Sequence, residues 1–275
     1  MEKHTFEKIE TEDTIRAFAV SLGRFAAKDP SILLEVAKVA KSKDQALAWE
    51  SLYHDLQDQE CLTNFAIRSD ELAKSYDWSN IEHAYYMWGL WGWITFDISK
   101  FKLWDNSPAT QLEADRQVLK SFKKQDFLDC INYCKTYTHH VKVFDEAMVC
   151  FENKFYHACA TLLISLIDGE LISSHANSVL SNRKTGATAG SRLIKSVSKD
   201  ETFGEPGLFH LELTNYNAFI DKLFERTDGF HTEPNNINRN FLHHGMSKRK
   251  VLRKDCIKLF LGYRKTLEYA QKTQE

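Results

Sequence analysis

The 275-residue sequence predicts an all-α protein, and two observations support that prediction. Glycine and proline are scarce, with 11 and 4 residues respectively, which favours long helices over a turn-rich β architecture. Apolar residues also recur at intervals of three and four along much of the chain, as they do on one face of an α-helix. The 43% hydrophobic and 27% charged content is ordinary for a globular protein, so extensive disorder is not expected.

The N-terminal region, residues 1–105, contains three segments with this helical spacing. Asp29 and Pro30 supply an N-cap and a first-turn proline for the second segment. The apolar positions are Ile15, Phe18, Leu22 and Phe25 in the first, Leu33, Val36, Ala37 and Ala40 in the second, and Ala46, Trp49, Tyr53 and Leu56 in the third. The region is therefore predicted to be helical, but it contains no motif that indicates a function.

Two uncharged apolar runs, residues 84–96 and 155–167, are each thirteen residues long. A membrane-spanning helix needs about 20 apolar residues, so both runs are predicted to be buried core segments. Six cysteines without a framework spacing, and an N-terminus without an apolar signal segment, indicate a reducing cytoplasm and free thiols. We therefore expect a cytoplasmic protein with no membrane segment.

Residues 104–110 are the best candidate for a linker, and a second helical region is predicted from 122 to 275. One long helix is expected to carry apolar positions from Phe127 to Met148. A second helix is expected from Phe151 to about Leu180, and because it is apolar on nearly every side it should be buried.

The rest of this region is predicted to contain two more helices and two loops. A flexible basic loop is expected at 182–190, and a polar loop at 231–236. Between the loops, apolar spacing from Leu213 to Leu223 predicts a helix. The last helix has an apolar stripe formed by Leu252, Cys256, Leu259, Phe260, Tyr263 and Leu267.

Charge is distributed unevenly along the chain. The formal net charge is −2, which by itself argues against a general nucleic-acid binder. From Arg239 to the end, however, there are ten Lys or Arg residues and only three Asp or Glu residues. This asymmetry indicates a basic working surface formed by the C-terminal part of the molecule.

The Asn238–Gly245 octet combines one permanent cation, two imidazoles and two amides, and it ends with a glycine that can terminate a helix. A guanidinium presents several donors suited to phosphate, and an imidazole can accept and return a proton near neutral pH. Together they suffice for metal-independent cleavage of RNA. One group moves a proton at the ribose 2′-hydroxyl or the leaving 5′-oxygen while the cation stabilises charge on the phosphate.

The spacing of this motif limits what one chain can do. Residues five apart on an α-helix lie roughly 140° apart around its axis, so Arg239 and His244 do not share a face of a regular helix. Either the helix is distorted near Gly245, or two copies of the segment meet and each contributes to one cleft. His243 lies four residues from Arg239 and shares its face, so it is an alternative proton carrier.

The pattern Arg239-Asn240-x-x-x-His244 resembles the RNxxxH form of the R-x(4–6)-H signature of the HEPN superfamily. The following glycine and a final helix also resemble a bacterial branch of that family. The upstream apolar helix carries Asp168 where such domains often have an acidic residue. The resemblance covers residues from about 122 to 275.

This resemblance implies a helical bundle of four to five helices and a homodimer in which the two motifs face each other. It further implies a metal-independent endoribonuclease that leaves 2′,3′-cyclic phosphate ends, needs no cofactor and serves in antiviral or toxin–antitoxin defence. The implied catalytic centre is formed by Arg239, His244, Asn240, His243 and Asp168. RNA is expected to bind the basic residues that follow, which are Lys248, Arg249, Lys250, Arg253 and Lys254.

Other interpretations of these residues remain open. Arg239 and His244 also fit a capped helix end with a solvated arginine and a structural histidine. The basic run at 248–254 fits an ordinary solvated face equally well. Cys130 and Cys134 lack zinc-site spacing, and core cysteines are the favoured interpretation.

Asp168 lies in an otherwise apolar helix, where an uncompensated carboxylate would be costly. It therefore needs a partner, and Arg239 or a motif histidine is the natural candidate, although another helix could supply one. His157, Thr161 and Ser165 extend from Asp168 as a polar stripe on the same helix. The stripe fits either the lining of a cleft or a plain helix–helix contact.

Two further functions compete with RNA cleavage. Some members of the resembling family are inactive and only bind RNA or nucleotides. Alternatively, the protein is a helical adaptor whose Trp-rich N-terminal region, 1–105, binds a regulatory protein partner. These three hypotheses differ on two points. One is whether His244 is essential for function, and the other is whether the N-terminal region is essential.

Overall fold

The computed structural model describes residues 26, 30–38, 43–74, 78–96, 104, 106–174, 184–198, 208–227 and 229–272. These residues form helices joined by turns and loops, and no β-strand occurs among them. The predicted all-α fold class is therefore confirmed. The first predicted helix, with apolar positions from Ile15 to Phe25, lies outside the described residues.

The chain divides into two compact units, one comprising Met1–Ile81 with Pro206–Leu208 and the other comprising Glu82–Glu205 with Phe209–Glu275. The first unit contains α1 (Ile32–Lys38), α2 (Lys43–Asp55) and α3 (Gln59–Lys74). Its buried cluster is formed by Ala26, Leu33, Leu56 and Phe65. Helix α1 confirms the second predicted segment as far as Lys38, and Ala40 lies outside the described residues. Helix α2 confirms the third segment, although Leu56 follows its last residue, Asp55.

Helix α4 (Trp78–Leu90) leads into the second unit, which begins at Glu82 rather than after residue 105. The aromatic run at 84–96 belongs to the core of this unit, as predicted, because Trp88 and Trp93 are fully buried. The predicted linker at 104–110 is not a boundary between the two units. Trp104 is buried against the Trp88 ring, so apolar packing holds this segment within the second unit.

The second unit is built around two long helices, α8 (Tyr156–Ser173) and α12 (Arg253–Lys272). Helix α8 packs against α12 and three other helices, and α12 also packs against two of those that surround it. The surrounding helices are α5 (Gln111–Ser121), α6 (Lys124–Tyr137), α7 (Val141–Glu152), α9 (Gly186–Ser198), α10 (Leu208–Leu223) and α11 (Arg239–His243). Helix α6 packs against α12, α7 packs against α8, and α9 packs against both α8 and α12.

The apolar stripe predicted for the last helix lies at the centre of this packing, except for Leu252. That residue precedes α12 and is exposed, so its place in the predicted stripe is wrong. The Phe260 ring on α12 lies 5.5 Å from Phe127, 6.0 Å from Phe144 and 5.4 Å from Phe151, with edge-to-face geometry in each case. Phe127 lies on α6, and Phe144 and Phe151 both lie on α7, so packing of these rings on Phe260 fixes the relative positions of α6, α7 and α12.

The single helix predicted from Phe127 to Met148 is wrong, because the chain breaks between α6 and α7. Thr138 causes the break: its hydroxyl accepts a hydrogen bond from the backbone N–H of His140 at 3.0 Å and also bonds the Tyr263 hydroxyl. A threonine that bonds the backbone locally competes with helix continuation.

The helix predicted to begin at Phe151 begins instead at Tyr156. Lys154 has a left-handed backbone with φ of 65°, which an α-helix cannot contain. The described part of this helix ends at Ser173, and residues 175–183 lie outside the described part of the chain. The burial predicted for this helix and for the run 155–167 is only partial, since Phe155, His157 and Ser165 are exposed.

The predicted flexible loop at 182–190 is partly wrong, since α9 begins at Gly186. The backbone N–H of Gly186 donates to Asp168 Oδ1 at 3.0 Å, which satisfies one of the free donors at the start of this helix. Gly190 packs so tightly that an added Cβ would lie 2.4 Å from Ile220 Cγ2. The polar loop predicted at 231–236 and the helix predicted around Leu213–Leu223 are both confirmed.

All six cysteines are unbridged, and Cys130 and Cys134 are buried in α6 as the core interpretation predicts. Within the described ranges, no group of three or more His, Cys, Asp or Glu residues is arranged to hold a metal ion. None of the described helices combines the length and apolarity required to cross a bilayer.

Candidate active site

The octet forms the short helix α11, and Asn238 is its N-cap. The Asn238 side-chain oxygen accepts hydrogen bonds from the backbone N–H groups of Asn240 at 3.0 Å and Phe241 at 3.3 Å. Its amide nitrogen donates to the backbone carbonyl of Glu225 at 3.0 Å, and so does Asn240 Nδ2 at 3.2 Å. Both amides therefore attach α11 to the segment that follows α10.

The C-terminal end of α11 is a Schellman motif. Gly245 has φ of +68°, its N–H donates to the Leu242 carbonyl at 3.2 Å, and the Met246 N–H donates to the Phe241 carbonyl at 2.9 Å. These are the two reversed bonds that a left-handed residue allows after a helix. Gly245 thus ends the helix, as the sequence predicts.

Arg239 is held by two side chains. Its Nη2 lies 3.5 Å from Asp168 Oδ2 on α8, and its Nη1 donates to Asn240 Oδ1 at 3.4 Å. The Asp168 side chain is 13% exposed and that of Arg239 is 31% exposed, so the pair lies at the protein surface but is partly shielded from water. The predicted ion pair between Asp168 and Arg239 is present, and it aims the guanidinium along α8.

His243 also faces α8. Its imidazole is half-buried and hydrogen-bonds the backbone of Thr161, and its Nε2 is buried without a hydrogen-bond partner. Burial lowers the pKa of His243 below its ordinary 6.5, and the neighbouring Arg239 charge lowers it further. A neutral, half-enclosed ring is poorly placed to exchange protons with a bound substrate.

His244 lies elsewhere on the same helix. It is exposed, and its ring packs edgewise on Phe230 with centroids 5.6 Å apart. Regular helical bonding continues to this residue, since its N–H donates to the Asn240 carbonyl at 3.2 Å. The helix is therefore not distorted between Arg239 and His244, and the two side chains diverge by about 140° within one chain.

The basic run separates into two groups. Lys248, Lys250 and Arg253 are exposed, and the Arg253 guanidinium lies over the Phe151 ring at 5.4 Å. These three cations are available to an approaching polyanion. They lie in the part of the chain that follows α11.

The other two cations are paired with carboxylates inside the protein. Arg249 Nη2 donates to both oxygens of Asp255, each at 3.1 Å. Lys254 pairs with the buried carboxylate of Asp115 on α5. Neither cation is free to contact phosphate without giving up an internal ion pair, so their expected part in RNA binding has less support than that of the exposed group.

Glu233 attaches the basic run to the preceding polar loop. Its carboxylate accepts hydrogen bonds from the Ser247 hydroxyl and from the backbone N–H groups of Lys248 at 2.8 Å and Arg249 at 3.1 Å. Burial alone would raise the pKa of Glu233, but these hydrogen bonds outweigh it and leave the pKa below its ordinary value. The carboxylate therefore stays ionised and holds the chain after Gly245 in one conformation.

The polar stripe on α8 is in part a contact between helices, because Thr161 lies against His243 and Asp168 pairs with Arg239 of α11. His157 and Ser165 are exposed. The Thr161 hydroxyl donates to the His157 carbonyl and the Ser165 hydroxyl to the Thr161 carbonyl, both at 3.0 Å. Both hydroxyls thus bond their own helix, and the exposed part of the stripe is formed by His157 and Ser165.

Sequence reasoning missed four residues around this site, namely Phe230, Glu233, Asp115 and Asp255. Asp255 carries a weak sequence signal, because it follows a dense run of cations and lies in the first turn of α12. Asp115 carries none, since 139 positions separate it from Lys254. The contact between Phe230 and His244 is likewise a product of the folded loop.

Comparison of the chain with protein-family models, with curated protein sequences and with solved structures finds no match in any of the three.

Proposed function

We propose that this protein is a metal-independent endoribonuclease of the HEPN type, with Arg239 and His244 as its catalytic residues. The observation that carries the proposal is the fixed guanidinium of Arg239, held by Asp168 and Asn240 on the helix that ends at the exposed His244. A preorganised cation and an accessible proton carrier are the two groups that phosphodiester transfer requires.

The proposed reaction begins when the ribose 2′-oxygen attacks the adjacent phosphorus. The new O2′–P bond forms as the P–O5′ bond breaks, and the products are a 2′,3′-cyclic phosphate and a free 5′-hydroxyl. An imidazole accepts the 2′-hydroxyl proton, another proton reaches the leaving 5′-oxygen, and Arg239 stabilises the negative charge on the non-bridging oxygens. DNA lacks the 2′-hydroxyl and would not be cut.

The divergence of Arg239 and His244 within one chain supports a composite site. In a two-fold dimer the same surface of each chain meets its counterpart, so Arg239 of one copy can lie opposite His244 of the other. We accordingly propose a homodimer with RNA bound along the shared α11 surface.

RNA binding is assigned chiefly to Lys248, Lys250 and Arg253. Each exposed cation that neutralises a phosphate releases a counterion, which favours binding at low salt. Arg249 and Lys254 act instead within the fold. The biological setting that we propose is cytoplasmic, as an effector of antiviral or toxin–antitoxin defence.

The direct test is cleavage of a mixed RNA pool in the presence of EDTA. Wild-type protein is expected to cut, and Arg239→Ala and His244→Ala are each expected to lose on the order of a hundredfold or more in rate. His243→Ala should retain more activity than His244→Ala. His83→Ala removes an exposed histidine outside the octet and serves as the matched control. Equal rates in all five proteins would contradict the assignment.

A second candidate function is RNA binding without cleavage. It is favoured by one observation, which is that the imidazole on the same face as Arg239 belongs to the half-buried His243. This function predicts RNA binding that is unchanged in His244→Ala and depends on Lys248, Lys250 and Arg253. It also predicts that no RNA is cut under any salt or pH condition.

A further inference from the structure

The turn before the octet has an unusual backbone. Gly229 and Phe230 are consecutive residues with positive φ, at 58° and 61°, and the Gly229 N–H bonds the Thr227 carbonyl at 3.0 Å. Glycine adopts this region freely, but an aromatic residue there is strained. Such a residue persists when its surroundings hold it in place, and it is often found at functional sites.

The surroundings that hold Phe230 are two rings of α11. Its ring lies 5.2 Å from the buried Phe241 and 5.6 Å from His244, with interplanar angles of 83° and 70°. Phe241 is fixed, because it is buried and its carbonyl accepts the N–H groups of Met246 and Ser247. Phe230 therefore connects a fixed core ring to the exposed imidazole.

His244 has few other constraints. In the part of the chain that the structure describes, no group hydrogen-bonds its ring, and the side chain is exposed. An exposed side chain normally exchanges rotamers within nanoseconds, whereas a proton carrier must be presented to the reacting atoms in one orientation. The ring contact with Phe230 is the interaction that supplies this constraint.

We propose that Phe230 is a positioning residue that orients the His244 imidazole toward the scissile phosphodiester. This inference rests on the proposed ribonuclease function, in which His244 carries a proton. The strained turn at Gly229–Phe230 places the aromatic ring against the imidazole, and the ring acts through His244 rather than on the substrate.

The test compares Phe230→Leu, which keeps an apolar side chain, with Phe230→Tyr, which keeps the ring. The first readout is the proton NMR signal of the His244 ring without RNA, assigned by its loss in His244→Ala. The second is the kinetics of RNA cleavage. Phe155→Leu removes an exposed phenylalanine outside the octet and is the matched control.

Phe230→Leu is expected to shift the His244 ring resonances and to lower kcat on the order of tenfold to a hundredfold with little change in KM. Phe230→Tyr should have the His244 resonances and the kcat of the wild type, and Phe155→Leu should change neither quantity. Two results would overturn this inference while leaving the proposed function intact, provided that the wild type cuts RNA. One is that the His244 resonances of Phe230→Leu coincide with those of the wild type. The other is that Phe230→Tyr is as defective as Phe230→Leu. A wild-type protein that cuts no RNA overturns the proposed function. The NMR spectra are recorded without RNA, so they report on the contact between Phe230 and His244 independently of cleavage.

Discussion

At the scale of single residues, the Asp168 carboxylate links three elements of the second unit. It lies on α8, accepts the N–H of Gly186 at the start of α9 and pairs with Arg239 at the start of α11. Its Oδ1 accepts the Gly186 N–H, and its Oδ2 pairs with the Arg239 guanidinium. The orientation of Arg239 therefore depends on the same group that fixes the start of α9.

Replacing Asp168 by Asn separates these two roles. The amide oxygen can still accept the Gly186 N–H, but the negative charge beside Arg239 is lost. We expect unfolding in urea to show a loss of about 1–3 kcal/mol, and RNA cleavage to fall more than stability alone would explain. Asp145→Asn, at an exposed position of α7, should change neither quantity. Full activity in Asp168→Asn would show that Arg239 needs no partner.

His243 predicts a dependence of stability on pH. Because its pKa is below 6.5 in the folded protein, the unfolded chain binds more protons between the folded pKa and 6.5. The contribution of His243 to stability is thus fully present above pH 6.5 and is lost as pH falls through the folded pKa. In urea unfolding, wild type should lose more stability than His243→Gln between pH 7 and pH 5. Identical losses in the two proteins would contradict the burial of this ring.

At the scale of elements, α12 is joined to α5 and the aromatic segment by one buried carboxylate. Asp115 accepts hydrogen bonds from Trp93 Nε1 and Gln111 Nε2, each at 3.0 Å, and pairs with Lys254 and with Lys258 Nζ at 2.7 Å. Burial would raise the pKa of Asp115, but the two ammonium groups lower it overall. Burial in turn lowers the pKa of Lys258 to about 8, against the attraction of Asp115.

Removing this carboxylate leaves two cations uncompensated, one of which is deeply buried. Asp115→Asn is expected to lose about 3–5 kcal/mol of unfolding free energy, measured in urea at pH 7. Lys254→Met should lose less, because Lys258 still neutralises Asp115. If Asp115→Asn is no less stable than Lys254→Met, the cluster does not hold α12 in place.

The sequence predicts several of these elements well. The stripe from Cys256 to Leu267 correctly predicts buried positions of α12, because apolar spacing of three and four is a local signal. It does not predict that burial extends to nearly every side of the helix, including Ile257 and Leu261. Gly245 likewise identifies the end of α11, since a left-handed residue after a helix is a local requirement.

Other features depend on contacts between distant parts of the chain. The break at Thr138 is stabilised by Tyr263, which is 125 positions away. Helix α9 starts where Asp168, 18 positions upstream, accepts an N–H. The pairing of Lys254 with Asp115 reduces the predicted RNA-binding set to its exposed members. No pattern within a local window of sequence contains this information.

At the scale of the whole molecule, we propose that a second copy of the chain completes the site. Sequence spacing leaves two alternatives open, a distorted helix or a shared cleft. The regular hydrogen bond to His244 favours the shared cleft, since it keeps the imidazole away from the face occupied by Arg239.

The most direct test of the shared cleft is to mix Arg239→Ala with His244→Ala after unfolding and refolding them together. Half of the resulting dimers contain one chain of each kind, and each of these has one of its two sites intact. Cleavage should therefore return to about one quarter of the wild-type rate in the mixture, while each variant alone stays inactive. The control conditions are that the wild type cuts RNA and that the two variants form mixed dimers. Under those conditions, a mixture no more active than either variant alone would contradict a site shared between two chains.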